Sequence, residues 1–285
     1  MPESSRLRTA PGAAPRTGPR APDLLVAKVP EITALFWAIK LVTTFMGEAT
    51  SDYLGNGNVA VGGVVEVGLV VGAVWIQFRT TRYVAAAYWF LAMAIAVFGT
   101  GASDALHTVL GIPYGGTTAL WAVILAGIFW KWYRSEGTLS IHSVTTRRRE
   151  VYYWSTVFAT FALGTALGDF TAGVLHLGFL ASGIIFTGLI LVPAVARWGF
   201  HLNAIAAFWF AYVLTRPLGA SFADYLSKPH SLSGANFGDA PTSAISAAVL
   251  FVLVAYVSVT RKDVQQPQPA TDSVTTLEPD SDLLV

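Results

Sequence analysis

Apolar segments about as long as a bilayer is thick dominate the chain from Val29 to Val259. The 285 residues are 54% hydrophobic and 12% charged, whereas soluble domains carry about 25% charged residues. Because a bilayer core about 30 Å thick needs roughly 20 apolar residues per helix, this stretch has room for eight spans with short loops. We therefore predict an all-α membrane protein with about eight transmembrane helices.

The predicted spans form one transmembrane domain over residues 29–260, and each end of the chain carries a polar tail. The apolar runs place the helices near residues 30–54, 59–78, 83–107, 117–133, 151–176, 177–196, 203–226 and 242–260. Segment 1–28 is rich in Pro and Arg, and segment 261–285 is polar and acidic, so we predict that both are disordered. The absence of Cys excludes disulfides and thiolate metal sites.

Lysine and arginine fall almost entirely on one side of the predicted helices. Fifteen of the 18 lie on the side that carries both tails, Lys228 alone lies on the other, and Lys40 and Arg216 lie inside spans. The positive-inside rule assigns the richer side to the cytoplasm. Both termini are therefore predicted to be cytoplasmic.

One motif recurs in every odd-numbered predicted helix: an aromatic residue and Trp, then nine residues, Gly, four residues and Asp. The copies are Trp37, Gly47 and Asp52; Trp89, Gly99 and Asp104; Trp154, Gly164 and Asp169; Trp209, Gly219 and Asp224. This recurrence predicts four tandem two-helix repeats, at about 29–80, 81–134, 148–198 and 199–260. Since every motif helix runs in the same direction, we predict parallel copies that are quasi-symmetric about the membrane normal. At 100° per residue the three motif residues share one wedge of surface, which should face other helices.

The stretch from Val29 to Leu54, with VPEITALFWAIK and GEATSDYL, resembles an uncharacterised bacterial membrane-protein family. That family is defined by a tandem two-helix repeat of unknown function with one prominent tryptophan per copy. The resemblance covers about residues 29–260, and the first copy is the closest match. It implies a multi-pass protein of the bacterial inner membrane and no particular activity.

Acids outnumber bases inside the predicted spans. The ionisable residues there are Lys40, Glu48, Asp52, Glu66, Asp104, His107, Asp169, His176, Arg216 and Asp224. Unless protons or a bound cation compensate, the excess negative charge is costly in a low-dielectric core. Carboxylates and backbone carbonyls suit hard cations such as Mg²⁺, Ca²⁺ or Mn²⁺, so the four motif aspartates are predicted to bind a metal ion.

The other ionisable residues inside the predicted spans are expected to tune the metal preference, balance charge or hold a proton. His107 and His176 fall on the aspartate faces and would shift the preference toward Mn²⁺ or Zn²⁺. Lys40 is predicted to neutralise an acid such as Glu66, or to couple charge movement to transport. Glu48 precedes Asp52 by one turn, so this pair is expected to hold a proton. Arg216 beside Pro217 suggests either a transport-site kink or an ordinary one.

The leading functional hypothesis is a secondary transporter of a small cation, coupled to protons through the aspartates and without a cofactor. One alternative is a structural or regulatory membrane protein that binds a cytoplasmic partner through the basic loop 134–149. Another alternative gives the motif a purely structural role, with aspartates that cap outer helix turns and tryptophans in an aromatic belt. Nucleic acid is not an expected partner at a net charge of +1, and no catalytic motif indicates an enzyme.

Overall fold

The computed structural model describes residues 27–199 and 202–265, and this part of the chain contains eight α-helices of 21–24 residues and no strand. The helices are α1 (Ala34–Gly57), α2 (Val59–Arg79), α3 (Ala85–Thr108), α4 (Tyr114–Glu136), α5 (Arg147–Asp169), α6 (Gly178–Gly199), α7 (Ala204–Ser227) and α8 (Asp239–Thr260). A π-helical turn over Phe170–Val174 follows α5 directly. The all-helical prediction is confirmed.

The four motif helices form a closed ring. α1 packs against α3, α3 against α5, α5 against α7, and α7 returns to α1. Each even helix packs chiefly on the motif helix of the following copy: α2 on α3, α4 on α5, α6 on α7, and α8 on α1. The chain therefore links the copies by short loops, and it also interlocks each copy with the next one.

The aromatic pairs of the motif build one end of this ring, called the aromatic end below. The aromatic residue before each Trp contacts the Trp of the next copy around the ring. The pairs are Phe36 with Trp89, Tyr88 with Trp154, Tyr153 with Trp209 and Phe208 with Trp37, at ring-centroid distances of 5.8, 5.1, 6.2 and 5.7 Å. Three of these tryptophans are buried and Trp37 is half-buried. They stabilise the bundle interior, so an aromatic belt facing lipid does not describe them.

The motif glycines lie at close contacts between neighbouring motif helices. A methyl group on Gly47 would collide with Ala96, one on Gly99 with Phe161, one on Gly164 with Arg216, and one on Gly219 with Thr44. Each contacted residue lies seven positions after the Trp of its own copy. The same spacing thus sets the same close contact at all four interfaces.

Among the described residues, six helices are long and apolar enough to cross a membrane: α2, α3, α5, α6, α7 and α8. α2, α6 and α8 carry many exposed apolar side chains, such as Val64, Ile184 and Val259. A helix that is apolar on its outer face fits a lipid environment. α1 falls outside the six because Lys40 and Glu48 interrupt its apolar run.

The packed structure extends beyond the predicted tail boundaries. Lys28 is buried and its Nζ donates to Glu150 Oε2 at 2.9 Å and to the Thr80 carbonyl at 2.8 Å. Asp263 is buried as well and accepts a hydrogen bond from the Tyr83 hydroxyl. Assigning these two residues to disordered tails was wrong, because each has a buried polar partner. The rest of the predicted tails, 1–26 and 266–285, lies outside the described residues.

Candidate cation site

All four motif aspartates line one cavity at the acidic end of the ring, where the motif helices finish. The cavity measures about 550 Å³, and its acidic lining consists of Glu48, Asp52, Glu66, Asp104, Asp169 and Asp224. Exposed residues such as Asn56, Val59 and Leu232 form its rim, so it opens toward that end. The aspartates thus share one cavity, and a role restricted to capping helix turns does not account for this.

Three of these carboxylates are close enough to share a metal ion. Glu48, Asp169 and Asp224 each offer an oxygen, and these oxygens lie within 4.8 Å of one another. Glu48 and Asp224 are buried and Asp169 is half-buried. Within the described residues, the carboxylates of Asp104, Asp169 and Asp224 form no ion pair. Oxygen ligands around an excess of negative charge suit a hard cation.

Glu48 lies at the floor of the cavity, where it binds Arg216 of α7. Its Oε2 accepts hydrogen bonds from the guanidinium and from the hydroxyls of Thr100 and Thr165, both at 3.2 Å. Arg216 also donates to the Thr165 hydroxyl at 2.7 Å and to the Thr44 carbonyl at 3.2 Å. This fully buried arginine therefore connects all four motif helices, and charge-assisted hydrogen bonds of this kind are strong.

Lys228 brings a positive charge to the rim of the cavity from the segment after α7. Its Nζ lies 2.7 Å from Asp52 Oδ2 and 3.5 Å from Asp239 Oδ1. Burial disfavours the ammonium form, but the carboxylates of Asp52 and Asp224 outweigh burial and raise the pKa of Lys228. Lys228 is therefore charged at neutral pH and neutralises Asp52.

Glu66 reaches the cavity from α2. Its Oε1 accepts a hydrogen bond of 2.7 Å from the Ser51 hydroxyl, and its carboxylate fits against Gly101, where any side chain would collide with it. Glu66 is buried and is not paired with Lys40. Glu66 therefore belongs to the lining of the cavity and is not the partner of Lys40.

The predicted ion pair of Lys40 is wrong. Lys40 is 1% exposed, and its Nζ has no hydrogen-bond partner among the described residues. The nitrogen lies 3.8 Å from the ring centroid of Phe161 and 4.2 Å from that of Tyr212, so two aromatic faces replace the expected carboxylate. Lys40 lies about two turns before Glu48 on α1, but Glu48 forms its ion pair with Arg216 of α7.

Neither predicted histidine lines the cavity. His107 Nδ1 lies 2.8 Å from the Ile112 carbonyl oxygen, and the imidazole stacks on Tyr114. His176 is exposed and has a positive φ of 55°. The π-helical turn after α5 breaks the 3.6-residue period, so His176 leaves the face of Asp169. The prediction that these histidines shift the metal preference toward Mn²⁺ or Zn²⁺ therefore has no geometric basis.

Three residues of this site were absent from the sequence prediction: Lys228, Thr100 and Thr165. The two threonines could have been found, because they lie eleven positions after Trp89 and Trp154, as Glu48 does after Trp37. Extending the motif by this one position would have grouped them. Lys228 lies outside the Trp–Gly–Asp motif, since it caps α7 four residues after Asp224.

Comparison with known proteins identifies the repeat. The family model described as Repeat of Unknown Function (DUF347) matches residues 87–138, 152–201 and 207–263, more than half of the chain. The chain belongs to this family. The three DUF347 matches correspond to the second, third and fourth copies of the motif. Searches of curated proteins and of solved structures found no match.

The first copy lies outside the DUF347 matches, so the expectation that it is the closest match was wrong. It differs from the other copies in charge at two motif positions. Three residues after Trp37 it has Lys40, where the other copies have Ala92, Val157 and Tyr212. Eleven residues after Trp37 it has Glu48, where the others have Thr100, Thr165 and Ala220. Both side chains are buried in the ring, and the first copy therefore supplies Lys40 and Glu48, whereas Arg216, the base that pairs with Glu48, comes from the fourth copy.

Proposed function

We propose that this DUF347 protein is a secondary transporter of a small, hard cation, coupled to protons through the acids of its cavity. The observation that carries the proposal is the meeting of four motif aspartates, one from each copy, with Glu48 and Glu66 in one cavity. Arg216 and Lys228 balance two of these six acids. The remaining negative charge favours a cation or protons, which compete for the same oxygens.

The geometry favours a hydrated or partly hydrated divalent ion such as Mg²⁺, Ca²⁺ or Mn²⁺. The ligand oxygens of Glu48, Asp169 and Asp224 are close enough for one ion, and a volume of about 550 Å³ also holds many waters. Hard cations with oxygen ligands keep part of their water shell. Both histidines point elsewhere, which weakens the case for Zn²⁺.

In the proposed topology the protein has eight transmembrane spans, and the four copies of the repeat are quasi-symmetric about the membrane normal. Two sets of contacts that recur around the ring support this arrangement: each aromatic residue meets the next Trp, and each glycine meets the next helix at the same motif position. The many Arg and Lys residues at the aromatic end favour the cytoplasm for that end and for both termini, in the bacterial inner membrane. The cavity then faces outward.

The proposal is tested by calorimetry of the detergent-purified protein with Mn²⁺, Mg²⁺, Ca²⁺ and Zn²⁺ between pH 5 and pH 8. We expect saturable binding that weakens as the pH falls, because protons compete for the carboxylates. D169N and D224N should abolish binding, whereas H176Q should leave it unchanged. If no ion binds, or if binding ignores the aspartates, the cation site does not exist. If an ion does bind, its uptake into liposomes under a pH gradient tests transport itself.

The alternative function, binding of a partner through the basic loop 134–149, receives weaker support. Arg147 and Arg148 expose half or more of their side chains, but both pair with acids of the same chain, Glu150 and Glu136. Arg149 also binds Glu136, at 2.8 Å. Replacing these three arginines together should leave cation binding intact. If the triple arginine variant is inactive in cells and D169N is active, the basic loop carries the function.

A further inference from the structure

The Glu48 carboxylate lies on a boundary between two environments. Its Oε2 accepts all three hydrogen bonds from Arg216, Thr100 and Thr165. Its Oε1 accepts none from the described residues, although the side chain is only 3% exposed and lines the cavity. One oxygen thus belongs to the floor of the cavity, and the other is available to a ligand from above.

The groups on the two sides of Glu48 are both suited to positive charge. Below the carboxylate is the guanidinium of Arg216, which is fully buried and does not line the cavity. Above it are the oxygens of Asp169 and Asp224, within 4.8 Å of a Glu48 oxygen. A cation held by these three acids would therefore be separated from the guanidinium by one carboxylate, and like charges at such a distance repel strongly in a low-dielectric interior.

Resting on the proposed function, we infer that Arg216 competes with the transported cation for Glu48, and that cation binding releases the floor that Arg216 holds closed. In the structure the guanidinium neutralises Glu48 and connects α1, α3, α5 and α7. A bound cation neutralises the carboxylate of Glu48, and this weakens the ion pair between Glu48 and Arg216. Arg216 is therefore a positioning residue that ties occupancy of the cavity to helix packing.

The surroundings of Arg216 explain why its release would be felt across the ring. Gly164 of α5 packs directly on the aliphatic part of Arg216, so there is no space for a larger side chain between the two helices at this level. Toward the aromatic end the next layer contains Phe161, with Arg216 Cζ 5.4 Å and Lys40 Nζ 3.8 Å from its ring centroid. Moving the guanidinium would thus change the packing of both α5 and α1.

The test is Mn²⁺ binding by calorimetry at pH 7.5, with the full-length purified protein and the variant R216M. Removing the competing charge should tighten Mn²⁺ binding by about tenfold or more. The double variant R216M/E48Q should lose that gain, since the contested carboxylate is gone. If folded R216M binds Mn²⁺ as wild type does, or more weakly, Arg216 is only a structural cross-link and the inference is overturned.

A milder variant covers the case in which R216M does not fold. T165V removes one hydrogen bond to Arg216 and one to Glu48 without changing any charge, so it should tighten Mn²⁺ binding by about threefold. T160V is the matched control, because the buried Thr160 hydroxyl donates only to the Thr156 carbonyl on the same helix. Equal affinities of T165V, T160V and wild type would contradict the competition.

These outcomes separate the inference from the proposed function. If wild type binds Mn²⁺ and D169N does not, but R216M and T165V match wild type, the cation site stands and only the role of Arg216 falls. If wild type and every variant fail to bind any of the four metal ions, the proposed function fails and the inference fails with it.

Discussion

Each motif copy contributes one side chain to both ends of the motif-helix ring, but the chemistry of the two ends is opposite. At the aromatic end each copy inserts a ring against the Trp of the next copy, and three of the four tryptophans are buried. At the acidic end each copy contributes a carboxylate to an open cavity, where like charges meet. Packed apolar surface stabilises a fold, whereas clustered like charges oppose it. We therefore expect the aromatic end to contribute most to stability, and the proposed function assigns cation binding to the acidic end.

Substitutions at the two ends of α3 provide the largest test of this contrast. W89A should lower the free energy of unfolding by about 3–5 kcal/mol, because a buried aromatic residue is lost at a ring interface. D104N, in the same copy, should leave stability unchanged or raise it, since it removes one of several neighbouring carboxylates. Thermal unfolding in detergent measures both.

A matched control for W89A is W75A on α2, because Trp75 is 57% exposed on the outer surface. It should change stability far less than W89A. Equal effects of the two substitutions would mean that tryptophan content, and not the contact around the ring, stabilises the bundle. A large loss in D104N would show that the acidic end is structural as well.

The glycine layer between the two ends should give an intermediate effect. G47A places a methyl group against the backbone of Ala96, which cannot move aside easily, so we expect a loss of about 1–3 kcal/mol. G68A on α2 is the control, since nothing lies within 4 Å of its new methyl group. Because Ala favours helix over Gly, G68A should be neutral or stabilising, as measured by the same unfolding assay. A loss of similar size in both would contradict the close contact.

The fold was predictable because its information is local to each helix. The spacing of Trp, Gly and Asp fixes which residues share a face, so the convergence of Asp52, Asp104, Asp169 and Asp224 followed from the sequence. The partners of the internal charges did not follow in the same way. Which base meets which acid depends on the neighbouring helix, and Arg216 reaches Glu48 across the ring while Lys40 remains without an acid.

Local irregularities account for the other errors. The π-helical turn over Phe170–Val174 turns His176 away from Asp169, and no sequence signal marked it. Lys228 pairs with Asp52 from the C-cap of α7, beyond the last motif residue Asp224. Both features depend on tertiary packing at helix ends, where periodicity carries little information.

Replacing Lys40 should raise stability, whereas W89A and G47A should lower it, because Lys40 is an ionisable residue buried in the packed interior of the ring. Replacing it in K40M removes a buried amine without an acceptor and keeps an unbranched apolar chain next to Phe161 and Tyr212. We expect thermal stability to rise, by about 1 kcal/mol. The exposed Lys131 on α4 provides the control K131M, which should have little effect. A loss of stability in K40M would mean that its contacts with the two rings outweigh the cost of its burial.

The smallest expected effect concerns Asp263, an acid at the aromatic end. Burial raises its pKa, and its carboxylate accepts a hydrogen bond from Tyr83. An acid with a raised pKa in the folded state contributes fully to stability below its ordinary value of 3.8, and that contribution is lost as the pH rises through the folded-state pKa. D263N keeps an oxygen for Tyr83 but has no proton to lose, so it stays neutral at every pH of the experiment. Its stability relative to wild type should therefore increase between pH 4 and pH 8, by a few tenths of a kcal/mol. If the difference in thermal stability between D263N and wild type does not change with pH, the folded protein holds the charged form of Asp263 without cost. A single acid at the aromatic end would then be tolerated as well as the acids at the acidic end.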